Sequence, residues 1–152
     1  MLSGLNDAAR AELEDLRLGA GGLLRPDDVV ERARSPNSAL HKYFEWDDTD
    51  AAAAYRLHQA RQVIRAVVRL VPRQTAPSIA VRAFISLPSD RAQGGYRAVE
   101  DVASDEARAA EAMAELRRLL ARLEMRYGAL ASVSEVLTRI GDVLNQQAQP
   151  AE

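Results

Sequence analysis

The chain has 152 residues, a formal net charge of −2 and no cysteine, with 47% hydrophobic and 28% charged residues. These proportions belong to a soluble globular protein of one domain, or of one small domain with a helical appendage. The absence of cysteine excludes disulfides, thiolate metal sites and cysteine nucleophiles. The N-terminus, MLSGLNDAARAELEDLRL, lacks a basic stretch followed by an apolar run, so no signal peptide is expected. Arginines interrupt the longest apolar stretch, so no membrane span is expected, and a cytoplasmic location follows.

The small net charge hides a segregation. Residues 1–54 hold six basic and eleven acidic side chains, net −5; residues 55–97 hold eight arginines and only Asp90, net +7; residues 98–152 hold six basic and ten acidic residues, net −4. A positive middle between acidic ends suits a nucleic-acid surface, or one that the chain's own ends neutralise.

In chain order, Leu5 to Leu18 predicts an amphipathic helix with Leu5, Ala9, Leu13 and Leu16 on one stripe. Asn6 or Asp7 would cap it, and Gly19, Gly21 and Gly22 would end it. Arg25-Pro26-Asp27-Asp28 opens a short second helix that buries Val29, Val30 and Ala33 and stops at Ser35-Pro36-Asn37-Ser38. Tyr43, Phe44 and Trp46 then cluster within four residues. They read as a hydrophobic plug on the helical core, or alternatively as a stacking platform for a base. Glu45, Asp47, Asp48 and Asp50 follow; without the spacing of a calcium loop, they read as caps of the next helix.

That helix is expected from Thr49 to Val71, with Ala53, Leu57, Ala60, Ile64, Val67 and Val71 on one side. Arg61, Arg65 and Arg69 recur at intervals of four on another side, with Arg73 just beyond. Three arginines one turn apart need a negative counterpart: solvent and the chain's own carboxylates, nucleic-acid phosphate, or an acidic protein. After a linker bracketed by Pro72 and Pro77, Ile79 to Leu87 alternates as a strand, with Ile79, Val81, Ala83, Ile85 and Leu87 on one face. Gly94-Gly95-Tyr96-Arg97 reads as the return into a short second strand. No lysine or helix start follows the glycines, so they are turn residues rather than a phosphate loop.

Ser104-Asp105-Glu106 caps the longest helix. Met113, Leu116, Leu120, Leu123 and Tyr127 recur along it at coiled-coil spacing until Gly128. Leu130, Val133, Leu137, Ile140 and Leu144 resume with the phase slipped, which predicts a helical hairpin. Its apolar seam serves either intrachain packing or dimerisation.

The segment from Ser35-Pro36-Asn37-Ser38 through Leu40-His41, Tyr43-Phe44-Glu45-Trp46-Asp47-Asp48, Ala52-Ala53, Tyr55-Arg56 and Gln59-Ala60-Arg61 resembles a pattern in small bacteriophage and prophage proteins to which no activity is assigned. The likeness extends to Val81-Arg82-Ala83-Phe84 and to the closing helical pair. Where that pattern often has proline before leucine-histidine, this chain has Ala39. The resemblance implies a phage or prophage context in a bacterial host and supplies no catalytic residues.

The expected fold is mainly α with one β-hairpin. A helical part with a hairpin, compatible with a winged helix, spans 1–99, an oligomerising helical hairpin spans 100–146 and a flexible tail spans 147–152. The expected function is non-enzymatic DNA binding by an oligomer, through Arg56, Arg61, Arg65, Arg69, Arg73, Arg82, Arg91 and Arg97. Assembly runs through Met113, Leu116, Leu120, Leu123 and Tyr127, with no metal or cofactor. The alternative is an assembly or adaptor protein whose basic helix and coiled coil dock phage or host proteins.

Overall fold

A computed structural model describes residues 5–46, 50–73 and 76–146. Its protein is mainly α with a small β part, and it divides into two compact units, Met1–Ala103 and Ser104–Glu152. Among the described residues, no helix is long and apolar enough to cross a membrane.

The first unit opens with α1 (Asp7–Gly19), where the Asn6 side chain accepts from the Ala9 N–H at 2.9 Å and so satisfies an otherwise free amide of the first turn. Ala9 and Leu13 face inward, and the helix ends where Gly21 and Gly22 take φ of 66° and 90°, a conformation that suits glycine. Leu24 then exchanges two 2.8 Å backbone hydrogen bonds with Tyr96. In α2 (Pro26–Ala33), proline starts the first turn, Asp27 and Asp28 meet the positive end of the helix, and Val29, Val30 and Ala33 are buried as the periodicity predicts.

The aromatic cluster is a plug. Phe44 is buried in the core, and Tyr43 and Trp46 pack against it. Trp46 is held by its indole N–H on the His41 carbonyl (3.0 Å), while the His41 ring stacks on it at 5.0 Å. Glu12 fastens the preceding loop by accepting from the Ser38 hydroxyl and the Ala39 N–H. Of the acidic cap expected for the next helix, Asp47 and Asp48 lie outside the described residues, as do the expected helix start at Thr49 and the tail at 147–152.

Two expectations are corrected here. First, α3 (Asp50–Ala66) does not run to Val71; Val68–Val71 is instead a strand, β1. Val67 and Val68 are β-branched, Pro72 follows, and a strand partner is within reach, so extended backbone wins over a helix that propensity supports only weakly. The buried side of α3 is Ala52, Arg56, Ala60, Val63 and Ile64, with Ala53 exposed rather than buried. Second, the alternating stretch Ile79–Leu87 is two strands, β2 (Ile79–Arg82) and β3 (Phe84–Ile85). The first pairs antiparallel with β1, Val68 opposite Arg82 and Val71 opposite Ile79. The second pairs antiparallel with β4 (Arg97–Ala98). Ala83 links the two ladders, its N–H donating to the Val67 carbonyl and its carbonyl accepting from the Val99 N–H. Phe84 and Leu87 are therefore the buried residues, and Ile79 is exposed.

The return to β4 passes a 3-10 turn at Pro88–Gln93, then Gly94 at φ 67° and Gly95, whose Cα lies so close to Leu23 that a side chain would overlap it. The helix α4 (Val99–Ser104) closes the unit with Val102 inward.

In the second unit, the Asp105 carboxylate accepts from the Arg108 N–H and caps α5 (Glu106–Tyr127). A short turn at Gly128 leads into α6 (Ala131–Gln146), which packs back on α5 as the predicted hairpin. Leu120, Leu137 and Leu144 form its buried core, with Met113 and Val133 alongside.

Candidate functional site

The eight arginines between Tyr55 and Arg97 part into two groups. Arg56, Arg97 and Arg69 are held by ionic or hydrogen-bonding partners within the chain. Arg56 is 7% exposed, its guanidinium 5.6 Å over the Trp46 ring and donating to the Glu45 carbonyl at 3.4 Å, so it braces the plug. Arg97 grips Asp90 through two parallel hydrogen bonds of 2.7 and 2.8 Å, with the carboxylate buried. Arg69 forms an ion pair with Glu100. Because β1 replaces the last turn of the expected helix, Arg69 leaves the stripe of Arg61 and Arg65.

The other arginines lie at the surface. Arg65 is exposed on α3, its guanidinium 6.0 Å over the Tyr96 ring, and Arg61 is half-buried one turn earlier. Arg82 is exposed on β2 and Arg73 just past β1. Among the described residues, these four make no ion pair. Arg91 is exposed on the 3-10 turn. Among the described residues, the arginines outside any ion pair thus include those of α3 and of the hairpin that follows it.

The face of the β1–β2 hairpin that carries Arg82 is otherwise apolar. In the antiparallel register Val68, Leu70, Ala80 and Arg82 share that face, and Val68 and Leu70 are 46% and 71% exposed.

A cleft of about 430 Å³ opens beside Arg69, lined by Arg10, Glu14, Arg17, Glu100 and Asp101 among others. Its charges are matched. The buried Arg17 bonds to both Glu14 and Asp101, tying α1 to α4. The hydrogen bond from Arg17 holds the Glu14 carboxyl below its usual range despite partial burial, and raises the Arg17 pKa in return. The sequence analysis did not single out Arg17. The signal was its position four residues after Leu13 on the buried stripe, where a charged residue needs partners. Among the described residues, no group of three His, Asp or Glu side chains is placed to hold a metal ion.

The expected oligomerisation seam also parts. Leu120 is enclosed within the hairpin and Met113 packs on that cluster, whereas Leu116, Leu123 and Tyr127 are 42%, 44% and 38% exposed. Leu119, Val136 and Val143, which the sequence analysis left out, are exposed as well.

Comparison with protein-family models, with curated proteins and with solved structures finds no match.

Proposed function

We propose that this chain is a non-enzymatic DNA-binding protein that acts as an oligomer assembled through its C-terminal helical pair. The observation that carries the reading is the positive charge of Arg61, Arg65, Arg73 and Arg82 on α3 and the β1–β2 hairpin, which no ion pair among the described residues matches. Asp90 is the only acid between Tyr55 and Arg97, and Arg97 already neutralises it. A helix followed directly by a two-stranded antiparallel hairpin is also the order in which a winged helix meets a groove and the adjoining backbone. In the phage or prophage context that the sequence resemblance implies, regulation or packaging of DNA fits.

The test is binding of a fluorescent random duplex across a range of salt concentrations. Four phosphates neutralised per protomer predict a log–log slope of about −3.6. An Arg65→Ala, Arg82→Ala double variant should make the slope shallower by about two while leaving the fold intact, since both side chains are exposed. No binding at low salt retires the reading.

One observation favours the adaptor reading instead. Val68 and Leu70 stand exposed beside Arg82, a mixed apolar and basic strand surface that suits an acidic protein partner. Under that reading Leu70→Ser weakens partner capture and leaves DNA affinity unchanged.

A further inference from the structure

The α5–α6 hairpin leaves most of its large apolar side chains in water. Three leucines are buried between the helices, while Leu116, Leu119 and Leu123 of α5 are 42–44% exposed. On α6, Val136, Ile140 and Val143 are 42–55% exposed. These six form one surface. At about 100° per residue, and with Leu120 pointing inward, Leu116, Leu119 and Leu123 fall to one side of the seam. Arg117, Ala121 and Glu124 fall to the other. With Leu137 pointing inward on α6, Val136, Ile140 and Val143 turn the same way, and Gly141 and Asn145 the opposite way. In an antiparallel pair, equal rotations about the two helix axes lead to the same side. The groove of about 200 Å³ lined by Arg117, Ala121, Glu124, Gly141 and Asn145 is the polar side of that division. The opposite side is the apolar one.

We infer that this apolar face packs against the same face of a second copy of the chain and closes a four-helix bundle. The proposal rests on the reading of the chain as an oligomer and specifies which surface assembles it. Three features select a second copy as the occupant. The six side chains carry no charge, so they offer nothing to a partner chosen by its charge, whereas two parallel apolar stripes complement themselves. They present on the order of 500 Å² per copy, or about 1,000 Å² for the pair, the area at which specific association begins. A helical pair with three buried leucines is also too thin to hold itself together, so its cover must be present whenever the chain is. Another copy of the chain always is.

Sedimentation velocity and light scattering of the full chain test this. The wild type is expected at twice the 16.6 kDa chain mass at micromolar concentration. A Leu119→Glu, Ile140→Glu double variant should raise the dimer dissociation constant at least 100-fold and sediment as a monomer. Ala121→Glu, on the polar side, should remain dimeric, which guards against general damage to the hairpin. Because the chain has no cysteine, Leu119→Cys and Ala121→Cys give a second readout that does not depend on stability. A cross-link of the first on oxidation, with none of the second, would place Leu119 beside the two-fold axis of the interface. A wild type that is monomeric at about 50 µM overturns both the inference and the oligomer reading. A dimer that survives the double glutamate variant, or is broken only by Ala121→Glu, overturns the inference alone. A monomer that binds lipid vesicles through the same six residues overturns it too.

Discussion

The two units use the same kind of sequence signal to different ends. In both, apolar residues recur at helical spacing. In the first unit, sixteen of the described residues close into one buried cluster fed by α1, α2, α3, the aromatic plug and the short strands. In the second, the cluster is three leucines, and comparable side chains on the same two helices stay exposed. Periodicity makes a helix amphipathic, but a core needs a second layer of structure around it. The first unit builds that layer from elements far apart in sequence, whereas the second builds its cluster from two helices adjacent in sequence.

The largest test of this contrast is truncation of an apolar side chain in each unit. Leu13→Ala removes a fully buried side chain from the first core and should cost about 3 kcal/mol in denaturant unfolding. Leu123→Ala should cost less than about 1 kcal/mol in the monomer, and under the proposed self-association its effect should appear in the dimer dissociation constant instead. Equal losses at the two sites would erase the distinction between a closed and an open core.

Ion pairs sharpen the comparison at the next scale. Asp90 and Arg97 meet out of water with side chains 6% and 18% exposed, so Asp90→Ala removes two hydrogen bonds of a buried carboxylate and should cost about 2 kcal/mol. Glu135 and Arg139 of α6 form an ion pair with side chains more than 70% exposed, so Glu135→Ala should change stability by less than about 0.5 kcal/mol. Thermal melts of both variants would decide whether burial sets the difference.

The smallest expected effect is a pH dependence confined to the first unit. Arg17 lowers the folded-state pKa of Glu14, so on acidification the unfolded chain takes up this proton before the folded one. The stabilisation is therefore complete above the ordinary carboxyl value of 4.5 and fades as pH falls through the lower folded value. With Glu14 nearly half exposed, the gain stays below about 1 kcal/mol. The stability gap between wild type and Glu14→Gln should shrink as pH is lowered from about 6 to about 3. A gap that widened on acidification would contradict the sign of the shift.

Read alone, the sequence determined what depends on neighbours within a few residues. Asn6 and Asp105 cap their helices as side-chain acceptors, Pro26 starts one, glycines end or turn the chain, and 3.6-residue periodicity marks the buried faces of α1 and α2 and the break at Gly128. These are short-range effects of sterics and hydrogen bonding, so they are legible along the chain. Tertiary structure decided where α3 stops, because Val67, Val68 and Pro72 weaken a helix over Val67 to Val71 without excluding it until β2 supplies the backbone partner. It also decided the fate of the arginines. Arg61, Arg65 and Arg69 look equivalent at four-residue spacing, yet Arg69 turns onto β1 and finds Glu100, while Arg56 and Arg97 are drawn inward by Trp46 and Asp90. A charge is neutralised by what lies within a few ångströms of it in space, which spacing along the sequence does not contain.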